Sequence, residues 1–503
     1  MDFSSTGIQS ILNESLQHKN VKLIMTVSKA EELINMIEST FGKDPYKKIL
    51  LDNYDNLVIT SDTTKILQSI KLVHPFQFLL RDVLNKMNKL GDGNTFLILL
   101  IGKFLNRCKD LLAQGMSAYQ LVESLKDIKK RVLTQMDALE TGLERTESSS
   151  MCNLNMSFDD SKRNNQESFE NKRSDFDEDA LRKALCTILK DEKLVDLLTD
   201  AIVRSGFINP DDIRIQKIQT GSLEDSFVIN GMLIENSVET EILEKKGRCA
   251  IYNTSLDIER SETKGTLMFE KAEDLLNYSK DEDKSIEAVC DSISENCDIV
   301  FFNGNVNERF VEFFNLKNVL TVKVISKFDL RRLMRMTNSK LLQNIKKPLL
   351  EDTGLIDSIK TVYFGDKKYL KMEKNGSNLV TIVLKDSLSS SLNENELLLE
   401  KGIKVLENLN NKNFCFVKGS GHFEKELAQF LEKEAESITS GKKMVFNDIA
   451  KALREFECKN VEKEVFDILL TKRHAFESAC DIACEVLMIE DYLVAKADVP
   501  MQE

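Results

Sequence analysis

Apolar residues recur at helical spacing through the first part of the chain. In residues 21–37, Leu23, Val27, Ala30, Leu33, Ile34 and Ile37 form one stripe, which predicts an amphipathic helix. Gly42 and Pro45 end it. Two short apolar runs, 49–51 and 57–59, flank the polar segment Asp52-Asn53-Tyr54-Asp55-Asn56 and predict a hairpin. Further helices are predicted over 63–89, over 118–136, and from Thr95 onward, where Phe96, Leu97, Leu99, Leu100, Phe104 and Leu105 crowd together. Residues 145–178 break the pattern. They are rich in Ser, Asn, Asp, Glu and Lys and read as a disordered insertion or long linker, with Phe158, Phe169 and Phe176 as stray aromatics.

From about 210 to 385 the period changes. Short β-branched or aromatic runs at 227–229, 250–252, 299–302, 319–325 and 379–384 alternate with helical stretches. The order 299–302, 306–314, 320–325, 330–336 is β-α-β-α, which predicts a parallel unit. Residues 271–297 are charged and amphipathic, and after about 392 the chain returns to helix, ending with 466–486. The simplest architecture puts the N- and C-terminal helices in one domain, with an α/β middle inserted. At roughly 150 residues per domain, 503 residues suggest about three domains.

Composition narrows the function classes. Asp and Glu number 82 against 69 Lys and Arg, a net charge of −13, which argues against a nucleic-acid partner held on a broad basic surface. No apolar stretch approaches the roughly 18 residues a membrane span needs, and residues 1–10 lack a signal-peptide pattern. The ten cysteines are scattered without CxxC pairs, as expected of reduced core residues in a cytosolic protein. Cys480 and Cys484 stand one helical turn apart with no partner ligands near them in sequence. The four histidines, His18, His74, His422 and His474, are too dispersed for a Ser–His–Asp or zinc-hydrolase site.

Four segments carry possible chemistry, and none is a P-loop. Gly91-Asp92-Gly93-Asn94-Thr95 precedes an apolar helix. It reads either as a helix-capping turn or as a phosphate turn whose carboxylate holds Mg²⁺. Thr60-Ser61-Asp62-Thr63-Thr64 reads either as an N-cap or as a second carboxylate aimed at the same metal or water. Gly419-Ser420-Gly421 is a turn before a helix, and Lys43, Lys47 and Lys48 cluster beside Gly42. On these residues alone, Asp62 and Asp92 would also suit a metal-dependent phosphotransferase acting as a monomer or small oligomer.

Taken together, these segments resemble group II chaperonins, and within them the theta-type subunits of the eukaryotic cytosolic chaperonin. Ser326-Lys327-Phe328-Asp329-Leu330-Arg331-Arg332-Leu333 resembles SKWDLRRL, and Glu262-Thr263-Lys264-Gly265-Thr266 with residues 272–280 resembles ETKGT…AEELMNFSK. Val73-His74-Pro75, residues 91–96 and residues 467–472 fall at the family's spacing. The resemblance implies a chaperonin fold, multidomain α and α/β. A mainly helical equatorial domain would take 1–138 and 403–503, a small α/β intermediate domain 139–210 and 359–402, and an α/β apical domain with a helical lid protrusion 211–358. It further implies a cytoplasmic subunit working with seven paralogous subunits in a double ring, binding non-native clients such as cytoskeletal proteins in an ATP- and Mg²⁺-dependent cycle, without nucleic acid or membrane.

The resemblance also assigns residues. Phe41 and Gly42 match the start of the first phosphate loop, and Asp92 matches the Mg²⁺ ligand. Gly93, Asn94, Thr95 and Phe96 match the loop around the phosphates, and Gly419 and Ser420 match part of a triple-glycine turn. Asp467 and Lys472 match an Asp and Lys near the adenosine, and Asp62 matches an aspartate close to the γ-phosphate. There are departures: Gly-Pro-x-Gly reads Gly42-Lys43-Asp44-Pro45, GDGT reads Gly91-Asp92-Gly93-Asn94, and Ser420 interrupts the triple glycine. Where the family has a catalytic aspartate, this chain has Lys401 or Gly402, depending on a one-residue gap, with Glu400 the only adjacent carboxylate. The resemblance therefore implies either a weakly hydrolysing ATPase subunit or a non-hydrolysing one that holds geometry and client contacts.

Overall fold

The computed structural model describes residues 24–51 (apart from 25, 26, 29, 33, 43 and 44), 57–69, 76–141, 155–156, 178–189, 191–206, 210–235, 239, 242–257, 272–411, 414–438, 441–456 and 465–489. Residues 34–38 are helical. There follow β1 (Lys48–Leu51), β2 (Leu57–Thr60), α1 (Thr63–Ser69), α2 (Phe76–Met87), α3 (Asn94–Ala113), α4 (Ala118–Thr141), β3 (Asn155–Met156), α5 (Glu178–Leu189) and α6 (Glu192–Ser205). The middle contains β4 (Ile213–Ile218), β5 (Phe227–Ile229), β6 (Gly231–Glu235), β7 (Glu244–Tyr252), α7 (Ala272–Ser294), β8 (Ile299–Phe302), α8 (Glu308–Leu316), β9 (Leu320–Lys323) and α9 (Lys327–Thr337). It continues through β10 (Leu341–Leu342), β11 (Gly354–Phe364), β12 (Lys367–Glu373) and β13 (Val380–Lys385). The last part holds α10 (Ser389–Asn411), β14 (Phe414–Lys418), α11 (His422–Glu436), α12 (Lys442–Arg454), β15 (Phe466–Ile468) and α13 (Leu469–Met488).

The chain divides into two units. One gathers the described residues through 156, 178–195 and 393–489; the other holds 196–392. In the first unit α3 is apolar on nearly every side, so it is buried all round. Helix α13 packs against both α3 and α4, with Phe104 edge-on to Phe476 at 5.7 Å, and α11 packs on α12. The predicted hairpin is present as β1 and β2, antiparallel with Lys48 opposite Thr60.

In the second unit β7, β8 and β9 run parallel, and β11 and β12 continue the sheet antiparallel to reach β6. The β8–α8–β9 order matches the parallel unit predicted from sequence. Both faces of β8 are covered: Ile299 and Phe301 join one core cluster, and Val300 and Phe302 join another. That is why its sequence is continuously apolar rather than alternating. A smaller sheet pairs β13 with β4 in parallel and with β5 antiparallel.

Three expectations change. The single helix predicted over 63–89 is two, α1 and α2; Pro75, immediately before α2, lacks the N–H that a helix interior needs. Residues 466–468 form β15 on β14 instead of opening the last helix, because Phe416, Val417 and Lys418 offer a strand partner. Within 145–178, Asn155–Met156 is a short strand on β14, and residue 178 opens α5. The rest of that segment, Lys43, Val73-His74-Pro75 and Glu262–Thr266 lie outside the described residues. Among the described residues no helix is long and apolar enough to cross a membrane, and no cluster of His, Cys, Asp or Glu suits a metal ion.

The cysteines give a test of this packing. Cys108, Cys290, Cys297 and Cys480 are buried, and burial pushes the first three thiols up to about 12 and that of Cys480 well above its ordinary value. All four are expected to resist iodoacetamide at pH 8 in the folded chain and to react after unfolding, as read by mass spectrometry of the alkylated peptides.

Candidate nucleotide-binding site

The site forms around the start of α3. Gly91 and Gly93 have φ of 89° and 90°, the left-handed region that glycine enters at little cost. A Cβ on Gly91 would lie 2.7 Å from the Lys401 carbonyl oxygen, and one on Gly93 would lie 2.5 Å from Cγ2 of Thr471. Helices α10 and α13 therefore close onto this turn only because it has no side chains at those points. Gly93 caps α3 without a side-chain acceptor, which leaves the helix N-terminus suited to an anion.

Asn94 is spent on the fold. Its Nδ2 donates to Oδ1 of Asn88 at 2.6 Å and to Oγ1 of Thr64 at 3.1 Å, while its Oδ1 is buried without a partner. The hydroxyls of Thr95 and Thr63 are bonded at 2.7 Å. These contacts fix the first turn of α1 beside the first turn of α3.

Asp62 carries both roles read from the sequence. It caps α1, accepting the Lys65 N–H at 3.2 Å, and its own N–H donates to Oγ1 of Thr60 at 3.0 Å. Its other carboxylate oxygen is 2.5 Å from Nζ of Lys401. One residue earlier, Ser61 donates through N–H and Oγ to the buried Glu394 carboxylate at 3.2 and 3.1 Å, and Lys47 pairs with the same group at 2.6 Å. Glu394 and Lys401 are two helical turns apart on α10 and so grip the 61–62 loop from one face. Glu400 is exposed, and Gly402 is buried in the helix; Lys401 is the residue of this stretch that reaches Asp62.

Lys472 sits at the other side of the turn. It bonds Glu424 at 2.6 Å and Asp467 at 2.9 Å, and its ammonium lies 3.9 Å from the centre of the Phe96 ring. Burial would lower its pKa, but Asp467 and Glu424 more than offset this and raise it. Burial pushes the Asp92 carboxyl up and Asp467 adds to the rise; the Gly93 N–H, Lys401 and Lys472 act against it. Asp92 thus lies within the field of Asp467 and of both lysines.

The remaining residues frame these groups. A Cβ on Gly419 would stand 3.1 Å from the Asp467 carboxylate, and Ser420 takes a left-handed φ of 57°, a conformation glycine would adopt with less strain. Phe41 and Phe96 both contact Phe456, at ring separations of 6.2 and 5.1 Å, which ties the 41–42 segment to α3. Gly42 has φ of 111° with open space about it. Sequence reasoning missed Glu394, Glu424 and Phe456. Glu424 left one weak signal, a carboxylate in the first turn of a helix after a glycine turn.

This arrangement suits a phosphate ligand: a helix N-terminus without a side-chain cap, with one ammonium group on each side. A divalent ion at Asp92 would have to complete its shell from ligand and water oxygens, since no cluster of protein ligands surrounds it among the described residues.

Comparison with known proteins identifies a family. The profile of the TCP-1/cpn60 chaperonin family matches residues 33–457. The chain is 28% identical to T-complex protein 1 subunit theta of Encephalitozoon cuniculi, over 99% of this chain and 96% of that protein. It is 24% identical to the Arabidopsis thaliana theta subunit with the same coverage, and 26% identical to that of Saccharomyces cerevisiae over 84% of this chain and 74% of the relative.

Replacing Lys472 with Met leaves Glu424 and Asp467 without their counter-charge and is expected to cost about 3 kcal/mol in denaturant unfolding. Adding Glu424→Gln should recover part of that loss. Because the folded pKa of Lys472 lies above the unfolded value of 10.5, its stabilisation is complete below that pH and is lost as pH rises through the folded value.

Proposed function

Because the chain belongs to the TCP-1/cpn60 chaperonin family, we propose that it serves as one subunit of a hetero-oligomeric cytosolic chaperonin, binding ATP with Mg²⁺ but hydrolysing it weakly or not at all. Its partners would be seven paralogous subunits in a double ring, and its clients non-native proteins, cytoskeletal ones among them. The N- and C-terminal parts would form the equatorial, nucleotide-binding domain, with 211–358 as the apical client-binding domain, α7 belonging to its lid protrusion, and 139–210 with 359–402 as the intermediate domain. The observation that carries this reading is the convergence of Asp62, Asp92, Lys401, Asp467 and Lys472 on the glycine turn before α3, drawn from segments as far apart as 62 and 472.

Each residue then has a task. The backbone N–H groups of the first turn of α3 would receive phosphate oxygens. Asp92 would hold Mg²⁺, which would offset charge on the phosphates, and Asp467 with Lys472 would border the nucleoside. ATP, when bound, supplies a γ-phosphoryl group open to attack by water. That attack needs a group to orient the water and take its proton, and the Lys401 ammonium offers donors but no acceptor. Lys401 also occupies Asp62, so the second acid of the site is neutralised. Glu400 is exposed and has no contact with the 61–62 loop among those described. These are the grounds for weak turnover at this position.

The assembly is tested by the native mass of the particle that co-purifies with the tagged chain from its own cells. A double ring of different, related subunits is expected; a monomer or small homo-oligomer would overturn the assignment. Turnover is tested by Lys401→Asp, which should raise the ATPase rate of this site by about tenfold or more, toward the ~10²–10⁴ that a positioned base contributes. An unchanged rate would count against the replaced base as the cause.

A further inference from the structure

We propose that Lys401 reads the terminal phosphate of the nucleotide: its ammonium exchanges between Asp62 and a γ-phosphate, so that the site prefers a nucleoside triphosphate to a diphosphate. This rests on the nucleotide-site reading above and concerns what replaces catalysis at a position that lacks its base.

The two lysines of the site differ in a way that singles out Lys401. Lys472 is saturated by two carboxylates and a ring face. Among the described residues Lys401 has one acidic partner, Asp62 at 2.5 Å, and its side chain keeps 20% of its surface exposed against 12% for Lys472. Its backbone carbonyl packs on Gly91 and its charge acts on Asp92, so the ammonium is anchored beside the phosphate turn. A phosphate with nearly two negative charges competes well for a cation held by a single carboxylate.

The surroundings allow the exchange without unfolding the loop. When Lys401 leaves, Asp62 still accepts the Lys65 N–H, so α1 keeps its cap. Ser61 is still held by Glu394 through both its N–H and its hydroxyl. Glu394 is in turn paired with Lys47. The loop has a permanent fastening at 61 and an exchangeable one at 62.

The test is the ratio of ATP to ADP affinity, measured by calorimetry on the full chain with Mg²⁺ present. The unaltered chain should favour ATP by about tenfold or more, the scale of one charge-assisted bond. Lys401→Met should bring the ratio close to one through weaker ATP binding, and Lys401→Arg should keep it. Asp62→Asn, which preserves the cap, frees the ammonium and should tighten ATP binding. The double variant Asp62→Asn with Lys401→Met should still lack the preference, which separates loss of the lysine from repulsion by a bare Asp62. If Lys401→Met leaves the ratio unchanged, or the double variant restores it, the proposal is wrong while the nucleotide site stands. If the unaltered chain binds neither nucleotide, the site reading and this proposal fall together.

Discussion

Two glycines in left-handed conformation, Gly91 and Gly93, let α10 and α13 close onto the N-terminus of α3 at distances where a single methyl group would collide with Lys401 and Thr471. The rest of the site depends on that approach. It carries Lys401 over the turn to Asp62, and it sets Asp467 and Lys472 in the same electrostatic field as Asp92. A residue with a Cβ at either position would push apart helices whose segments are more than 300 residues distant in sequence. The local backbone freedom of two residues is thus what allows a long-range charge cluster to form.

That cluster is balanced unequally. Four carboxylates, Asp62, Asp92, Asp467 and Glu424, face two ammonium groups, and burial makes each unpaired charge costly. Asp92 bears the consequence as a raised pKa, which a bound cation would relieve. The two lysines divide the work: Lys472 is locked into structure, and Lys401 holds a neighbouring acid from which a stronger anion can draw it.

Much of this was legible from residues alone where local physics decides the outcome. The run 299–302 marked a strand of a parallel unit, and Gly91-Asp92-Gly93 before a strongly apolar stretch marked a glycine turn opening a helix. The failures lie where a distant partner decides. Residues 466–468 became a strand because β14 was there to pair with, and the 63–89 pattern concealed two helices, one ending at Ser69 and the next beginning at Phe76. Sequence left Lys401 and Gly402 as alternatives at one position; in the structure Gly402 is buried in the helix and Lys401 extends to Asp62. Glu394, Glu424 and Phe456 gave little sign of their roles, because each is defined by contacts to segments far away in the chain.

On the proposed reading this position binds ATP but cleaves it more slowly than the other positions of the ring, or not at all. The most direct test is photolabelling of the purified particle with 8-azido-ATP carrying radioactive phosphorus at either the α- or the γ-position, followed by incubation long enough for the other sites to turn over. The account predicts that this chain keeps both labels in equal amount. Retention of the α-label with loss of the γ-label from this chain would contradict it.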